Sequence, residues 1–268
     1  MSNVLIVKPA DIASVTASSS AAGKDPSYVG NDYMGVVWQS AAGAGASLTV
    51  DTGADIEADT ALLFGCDGAT SAMTLQLLAS TAAQGPGFAP AGWTGGVLPF
   101  LAGSEMPVNG RGVALWQAPE GAGPPASRYW RFAIGGLSGG QATVARVVLG
   151  KRIRLARNFA FGTSFGVRDT GSIDFSRLGV MLRKRGAKLR TLGLSFQSIH
   201  RDECEQAVQP LIEEIGNTDC VAIVTDPAEH AMRQRRAYYG PFYGDYSNGL
   251  IWRKADQFQA QANLVSLI

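Results

Sequence analysis

Two separated segments of the chain, residues 46–65 (ASLTVDTGADIEADTALLFG) and 128–150 (RYWRFAIGGLSGGQATVARVVLG), alternate apolar and polar positions. That is the pattern of strands with one face in a core and the other in water. In the first, Leu48 and Val50 point one way, Asp51-Thr52-Gly53 is expected to turn the chain, and Ile56 restarts a strand that ends in Ala61-Leu62-Leu63-Phe64. In the second, Tyr129, Arg131 and Ala133 alternate with Trp130, Phe132 and Ile134, and residues 144–150 close the unit. Shorter strands are expected around Tyr28, Tyr33 and Val36-Val37-Trp38, at residues 73–78 and at residues 113–116, with residues 18–23 as a bend. Residues 84–112 are rich in Gly and Pro with Trp93, Phe100 and Met106 interspersed. A loop of that length inside a domain either carries function or docks on a neighbour.

The second half has a different rhythm. Residues 151–161 read as a connector or strand between domains, and residues 183–196 alternate Leu189, Thr191, Gly193 and Ser195 against Arg190, Leu192, Leu194 and Phe196 as a strand. Residues 201–215 are the clearest helix, because Cys204, Ala207, Val208, Leu211, Ile212 and Ile215 form one apolar stripe. Asp202, Glu203 and Glu205 favour its positive end, Pro210 is expected to kink it, and Gly216-Asn217 to end it. A buried strand at residues 220–224, a turn at Asp226-Pro227 and a last strand through Phe258, Ala260, Ala262 and Leu264 complete the reading.

Composition sharpens this picture. With 46% hydrophobic and 17% charged residues and 33 glycines in 268 positions, short strands and many turns are favoured over long helices. Residues 1–150 carry 6 Lys+Arg against 10 Asp+Glu, a balance of −4, and residues 151–268 carry 17 against 12, a balance of +5. The asymmetry places a boundary near Gly150, giving domains 1–150 and 151–268 with different partners. Cys66, Cys204 and Cys220 are too few and scattered for a disulfide framework, which points to a reducing compartment during synthesis. Residues 4–7 are too short for a signal-peptide core and no stretch reaches the length of a membrane span, so synthesis as a soluble protein inside a cell is expected.

The strand-turn-strand of residues 46–65 with its LLFG ending, followed by the RYWR segment, resembles the galactose-binding-like jelly roll of tailed-phage and gene-transfer-agent tail proteins. The order of elements in the second half is similar to the ring-forming domain of tail-tube and distal-tail proteins, although those place the ring domain first. The resemblance implies a mainly β protein: an N-terminal jelly-roll β-sandwich plus a C-terminal α+β tail-ring domain with one docked helix. It further implies a structural virion protein at the tail tip or baseplate, made in the host cytoplasm. Its partners would be copies of itself in a ring, a hexamer, together with tail tube and baseplate hub proteins. The alternative is a carbohydrate-binding module for host-surface recognition.

Candidate chemistry is sparse. Asp51-Thr52-Gly53 matches the aspartic-protease triplet, but no second triplet occurs, and a turn is the simpler reading. His200, Cys204 and Cys220 are one short of a structural zinc set, and Cys204 belongs to the apolar stripe. With two histidines and no nucleophile elbow, P-loop or dinucleotide fingerprint, no catalytic residue, metal or cofactor is assigned and an enzyme is not expected. Arg183, Lys184, Arg185, Lys188 and Arg190, with Arg233, Arg235 and Arg236, form a basic set without interleaved aromatics. An inter-subunit contact suits it better than nucleic acid. Trp93, Trp116 and Arg111, near Trp38, Tyr28 and Tyr33, offer a platform for a cell-surface glycan; the same aromatics equally fill a sandwich core.

Overall fold

The alternation at both segments becomes two antiparallel sheets that face each other across one apolar core. A computed structural model of the chain describes residues 3–88, 92–243 and 249–268; positions 89–91 of the Gly- and Pro-rich stretch lie outside the described residues. Two units are present: unit 1 comprises Met1–Arg154 and Ala222–Ala237, and unit 2 comprises Leu155–Val221 and Tyr238–Ile268. Residues 222–237, placed in the second domain by the charge boundary, therefore belong to the first unit.

The larger sheet of unit 1 runs in the order Ser14–Ala17, Gly45–Ile56, Ser127–Gly135 and Thr74–Ser80, with Trp93–Thr94 and Leu98–Pro99 at its edge. The smaller runs Arg146–Gly150, Thr60–Asp67 and Arg111–Gln117. Leu48, Val50, Leu75, Leu77, Trp130 and Phe132 meet Ala61, Leu63, Ala114, Trp116, Val147 and Leu149 in a shared core. This is a jelly-roll-type β-sandwich, held by period-two burial on each inner face. Leu62 and Phe64, on the opposite face of their strand, are also fully buried, which accounts for the continuous apolar run there. Leu5–Val7 pairs with Ala222, Ile223 and Val224, tying the distant segment into the unit.

Two expectations need correction. Residues 26–30 form a 3-10 helix rather than a strand, with Pro26 at its start and the Asp25 carboxylate accepting the Ser27 N–H at 2.8 Å. Strand pairing in this region is confined to Trp38–Gln39, against Thr143–Val144. The triplet Asp51-Thr52-Gly53 is not a turn between strands but a bulge inside the single strand Gly45–Ile56, where the register with Ser127–Gly135 slips. Gly53 takes φ 79°, a conformation that glycine adopts without a steric penalty.

The Asp51 carboxylate grips Arg128 from both oxygens, at 2.7 Å to Nε and 2.9 Å to Nη2, and accepts the Gly53 N–H at 2.7 Å. The Arg128 hydrogen bond, foremost, holds the carboxyl below its ordinary 3.8. A carboxylate whose folded pKa is depressed contributes stability above its unfolded pKa and loses it as pH falls through the lower folded value. Wild type is therefore expected to be more stable than Asp51→Asn at neutral pH, with the difference closing below about pH 4. Urea unfolding across a pH series checks this; a gap that persists unchanged at low pH would refute it.

Unit 2 is an α+β unit. Its sheet runs Ser164–Asp169, Lys188–His200, Gln257–Val265 and Leu250–Lys254. Leu192, Leu194 and Phe196 are buried at alternate positions. The helix spans residues 201–215, but its middle, Cys204–Val208, is wound as a π-helix just before Pro210. That local rewinding accommodates the missing proline N–H. His200 caps the start, and Gly216 the end. Cys204, Val208, Leu211 and Ile215 are the buried stripe, while Pro210 is exposed. Among the described residues no helix is long and apolar enough to cross a membrane.

Candidate functional site

Unit 1 holds a cleft of about 700 Å³ beside its smaller sheet. One wall is the edge strand Arg111–Gln117 with the loop after Leu98–Pro99; the other is the stretch from Pro227 to Arg233. The walls are clamped by Gln234, which is fully buried. Its Oε1 accepts the Val113 N–H at 3.0 Å, while its Nε2 donates to the carbonyls of Gly103 and Glu105. Gly103 permits this closeness, since a Cβ there would lie 2.5 Å from the Ala231 carbonyl oxygen. Arg236 adds an ion pair to Asp226 at 2.8 Å.

Leu98, Pro99, Leu101, Leu115 and Pro227 give the cleft apolar surface, and the polar groups are few and mixed in sign. Arg233 donates from Nε to the Ala102 carbonyl and from Nη1 to the Pro227 carbonyl at 3.2 Å. Burial pushes its guanidinium below the ordinary arginine range, with Glu229 opposing. His230 Nδ1 accepts the Met232 N–H at 3.0 Å, so a neutral ring carries its proton on Nε2. Gln117 also lines the cleft, and among the described residues its Nε2 is the one buried side-chain polar atom without a hydrogen-bond partner. Native interiors seldom leave such a donor unpaired.

The residues picked from sequence do not gather at this cleft, apart from Arg233. Trp116 is buried in the sandwich core at 3% exposure, its ring edge-on to Trp93 at 5.7 Å. Trp93 is half-buried, so of the pair it is the ring that retains exposed surface. Arg111 stands at the far end of the Trp116 strand and donates to the Met34 carbonyl at 3.5 Å. The three do not form one platform. Trp38 is fully buried, and Tyr33 is exposed. The basic set divides too: Arg233, Arg235 and Arg236 belong to unit 1, where Arg235 donates to the Met106 carbonyl at 3.3 Å. Arg183, Lys184, Arg185 and Lys188 lie in unit 2 and are exposed.

Those four stand on an arm that periodicity alone did not reveal. The ribbon starts from the pairing of Ser164–Asp169 with residues 188–193 and continues as the hairpin Ser172–Phe175 and Met181–Lys184. Every residue of Ser164–Asp169, Ser172–Phe175 and Met181–Lys184 is exposed. Yet the stretch from Phe161 to Leu182 displays nine large apolar side chains, each at least 52% exposed, with Phe161, Phe165, Phe175 and Leu178 among them. Soluble monomers rarely expose contiguous apolar patches beyond about 300–600 Å². From residue 164 to 188 the charged side chains are six basic and two acidic, a balance of +4.

No protein-family profile matches the sequence. No curated protein matches it either. Among solved structures, the lectin domain of Lectinolysin complexed with Lewis B antigen is 12% identical, over 54% of this chain and 96% of that one, with a TM-score of 0.40. Chitosan-binding module 1 from a chitosanase/glucanase of Paenibacillus sp. IK-5 is 16% identical over 53% and 98%, TM-score 0.40. The family 32 carbohydrate-binding module of C. perfringens NanJ in complex with galactose is 12% identical over 55% and 98%, TM-score 0.40. Likenesses at this level carry no functional argument, and the sandwich rests on the strand pairing described above.

Proposed function

We propose that this chain is a non-catalytic structural subunit that joins copies of itself through the arm of unit 2 and carries unit 1 as a recognition module. The observation that supports assembly is the arm: a two-stranded ribbon with apolar side chains in water on both faces. A lone hairpin is marginal in water, and a long exposed edge invites pairing with another chain. Covering it with a neighbour resolves both problems. Its charge balance of +4 suits an acidic patch on the neighbouring copy. The setting at the tip of a phage-type tail, within the virion, rests on the sequence resemblance.

The test is sedimentation velocity of the full chain over a micromolar concentration series, beside the triple variant Phe175→Ser, Leu178→Ser and Val180→Ser. Each apolar side chain returned to water is worth about 1.5–3 kcal/mol, so association is expected to weaken by at least about a thousandfold. The thermal midpoint should hold, because these three positions are exposed. A wild-type chain that stays monomeric throughout would overturn the assembly reading.

A second reading, glycan recognition by unit 1, is favoured by the cleft with its apolar wall and few polar side chains. An array of immobilised glycans probed with the full chain tests it; no saturable binding to any glycan would remove it.

A further inference from the structure

We infer that the open edge of the strand Arg111–Gln117 in one copy is the seat for the arm of the next copy, which adds to it as a further strand. This rests on the assembly reading and names the surface that assembly uses.

Backbone hydrogen bonding carries the inference. In an antiparallel ladder, residues bonded to the neighbouring strand alternate with residues whose N–H and C=O point to the other side. The Ala118 N–H donates to the Asp59 carbonyl, so Trp116 and Ala114 are the residues bonded to Thr60–Asp67. Val113, Leu115 and Gln117 point the other way. Val113 is served on that side, because the Ala102 N–H donates to its carbonyl at 2.8 Å and its own N–H donates to Gln234. Leu115 and Gln117 are not: among the described residues their outward N–H and C=O have no partner. Leu115 is only 7% exposed, and backbone groups buried that deeply are nearly always paired. Both residues line the cleft together with Ala102 and Arg233, so the open edge runs along it.

The arm supplies what this edge lacks. The Ser176 N–H donates to the Val180 carbonyl, which sets the alternation of the hairpin. Met181 and Arg183 therefore turn their N–H and C=O outward, two residues apart, as Leu115 and Gln117 do. Laid antiparallel, the two edges satisfy each other, the mode by which an extended segment adds to a sheet. Met181 and Leu182, more than half exposed in the single copy, gain the apolar surface of Leu98, Leu101 and Pro227. Charge agrees. Of the charged side chains lining the cleft, Glu229 is exposed, while Arg233 is half-buried and donates to two backbone carbonyls. The accessible charge is thus acidic, and the arm is basic. Unlike surfaces meet, so the contact is heterologous and repeats from copy to copy.

The test uses full-length chains with one added cysteine each, since Cys66, Cys204 and Cys220 are buried. Ser71→Cys places a thiol at an exposed position of the cleft, and Met181→Cys places one on the arm. The two are mixed at a concentration where the wild type associates and treated with a short bismaleimide. A covalent dimer holding one chain of each kind is expected from the mixture, and none from either chain alone. Gln117→Pro removes an outward N–H without taking a bond from the ladder, and Glu229→Lys reverses the charge at the cleft. Each is expected to weaken association in sedimentation velocity by about tenfold or more. If Gln117→Pro fails to fold, Glu229→Lys and the cross-link decide. A dimer formed by Met181→Cys alone would show that arm pairs with arm, and the inference falls. If the wild type associates but the mixture gives no dimer and neither variant weakens it, assembly stands and this edge is not its seat. A wild type that stays monomeric overturns both.

Discussion

Replacing Gln234 with leucine is expected to lower the stability of unit 1 by about 3 kcal/mol or more and to release the segment around it. Gln234 is fully buried and serves three backbone groups: it accepts from Val113 and donates to Gly103 and Glu105. Leucine fills a similar volume but can serve none of them. Each buried backbone group left unpaired costs about 1–3 kcal/mol, and at least two of these have no obvious substitute. Chemical denaturation gives the loss, and hydrogen exchange localises it: the Val113 amide should lose protection far more than the amides of the Thr74–Ser80 strand. A cost below about 1 kcal/mol would mean that water replaces the side chain, and that Gln234 is not the clamp of the cleft.

Trp130→Ala should cost about 3–5 kcal/mol. Trp130 is fully buried in the middle of the larger sheet, opposite Val50 on one side and Ala79 on the other. Its Nε1 donates to the Ser127 carbonyl at 3.0 Å, so truncation also strands that acceptor. For a unit of this size the thermal midpoint is expected to drop by on the order of 10 °C. Differential scanning calorimetry checks it, and a shift of only a degree or two would show that the core collapses around the gap.

The two variants probe different layers of the same unit. Trp130 acts on the sandwich itself, whose inner faces close over one core. Gln234 acts on the segment laid over the outer face, on which the cleft depends.

Much of the sandwich was legible along the chain. The alternation of Leu48 with Val50, Leu75 with Leu77 and Trp130 with Phe132 and Ile134 is a local property, because a pleated strand puts every second side chain on one face. The helix was legible for the same reason, through its stripe and its closing Gly216. Proline and aspartate misled at two places. Pro26 starts a 3-10 turn where aromatic residues suggested a strand. Asp51-Thr52-Gly53 has the composition of a turn, yet the strand continues through it because Arg128, 77 residues away, holds Asp51 in the ladder.

The candidate site was hidden for a deeper reason. Gln234 and Val113 are separated by 121 residues, and neither has a neighbour in sequence that marks it as part of a cleft. The arm was hidden in the opposite sense, since the apolar character of Phe165, Val167, Ile173 and Phe175 does not by itself show that they are exposed. The order of residues determined which segments become strands and helix, because those choices are made by side chains two to four positions apart. Only the tertiary structure decided which apolar faces are buried and which wait in water, and which distant polar groups share a cleft. Those outcomes depend on contacts that the chain makes only after its ends have come together.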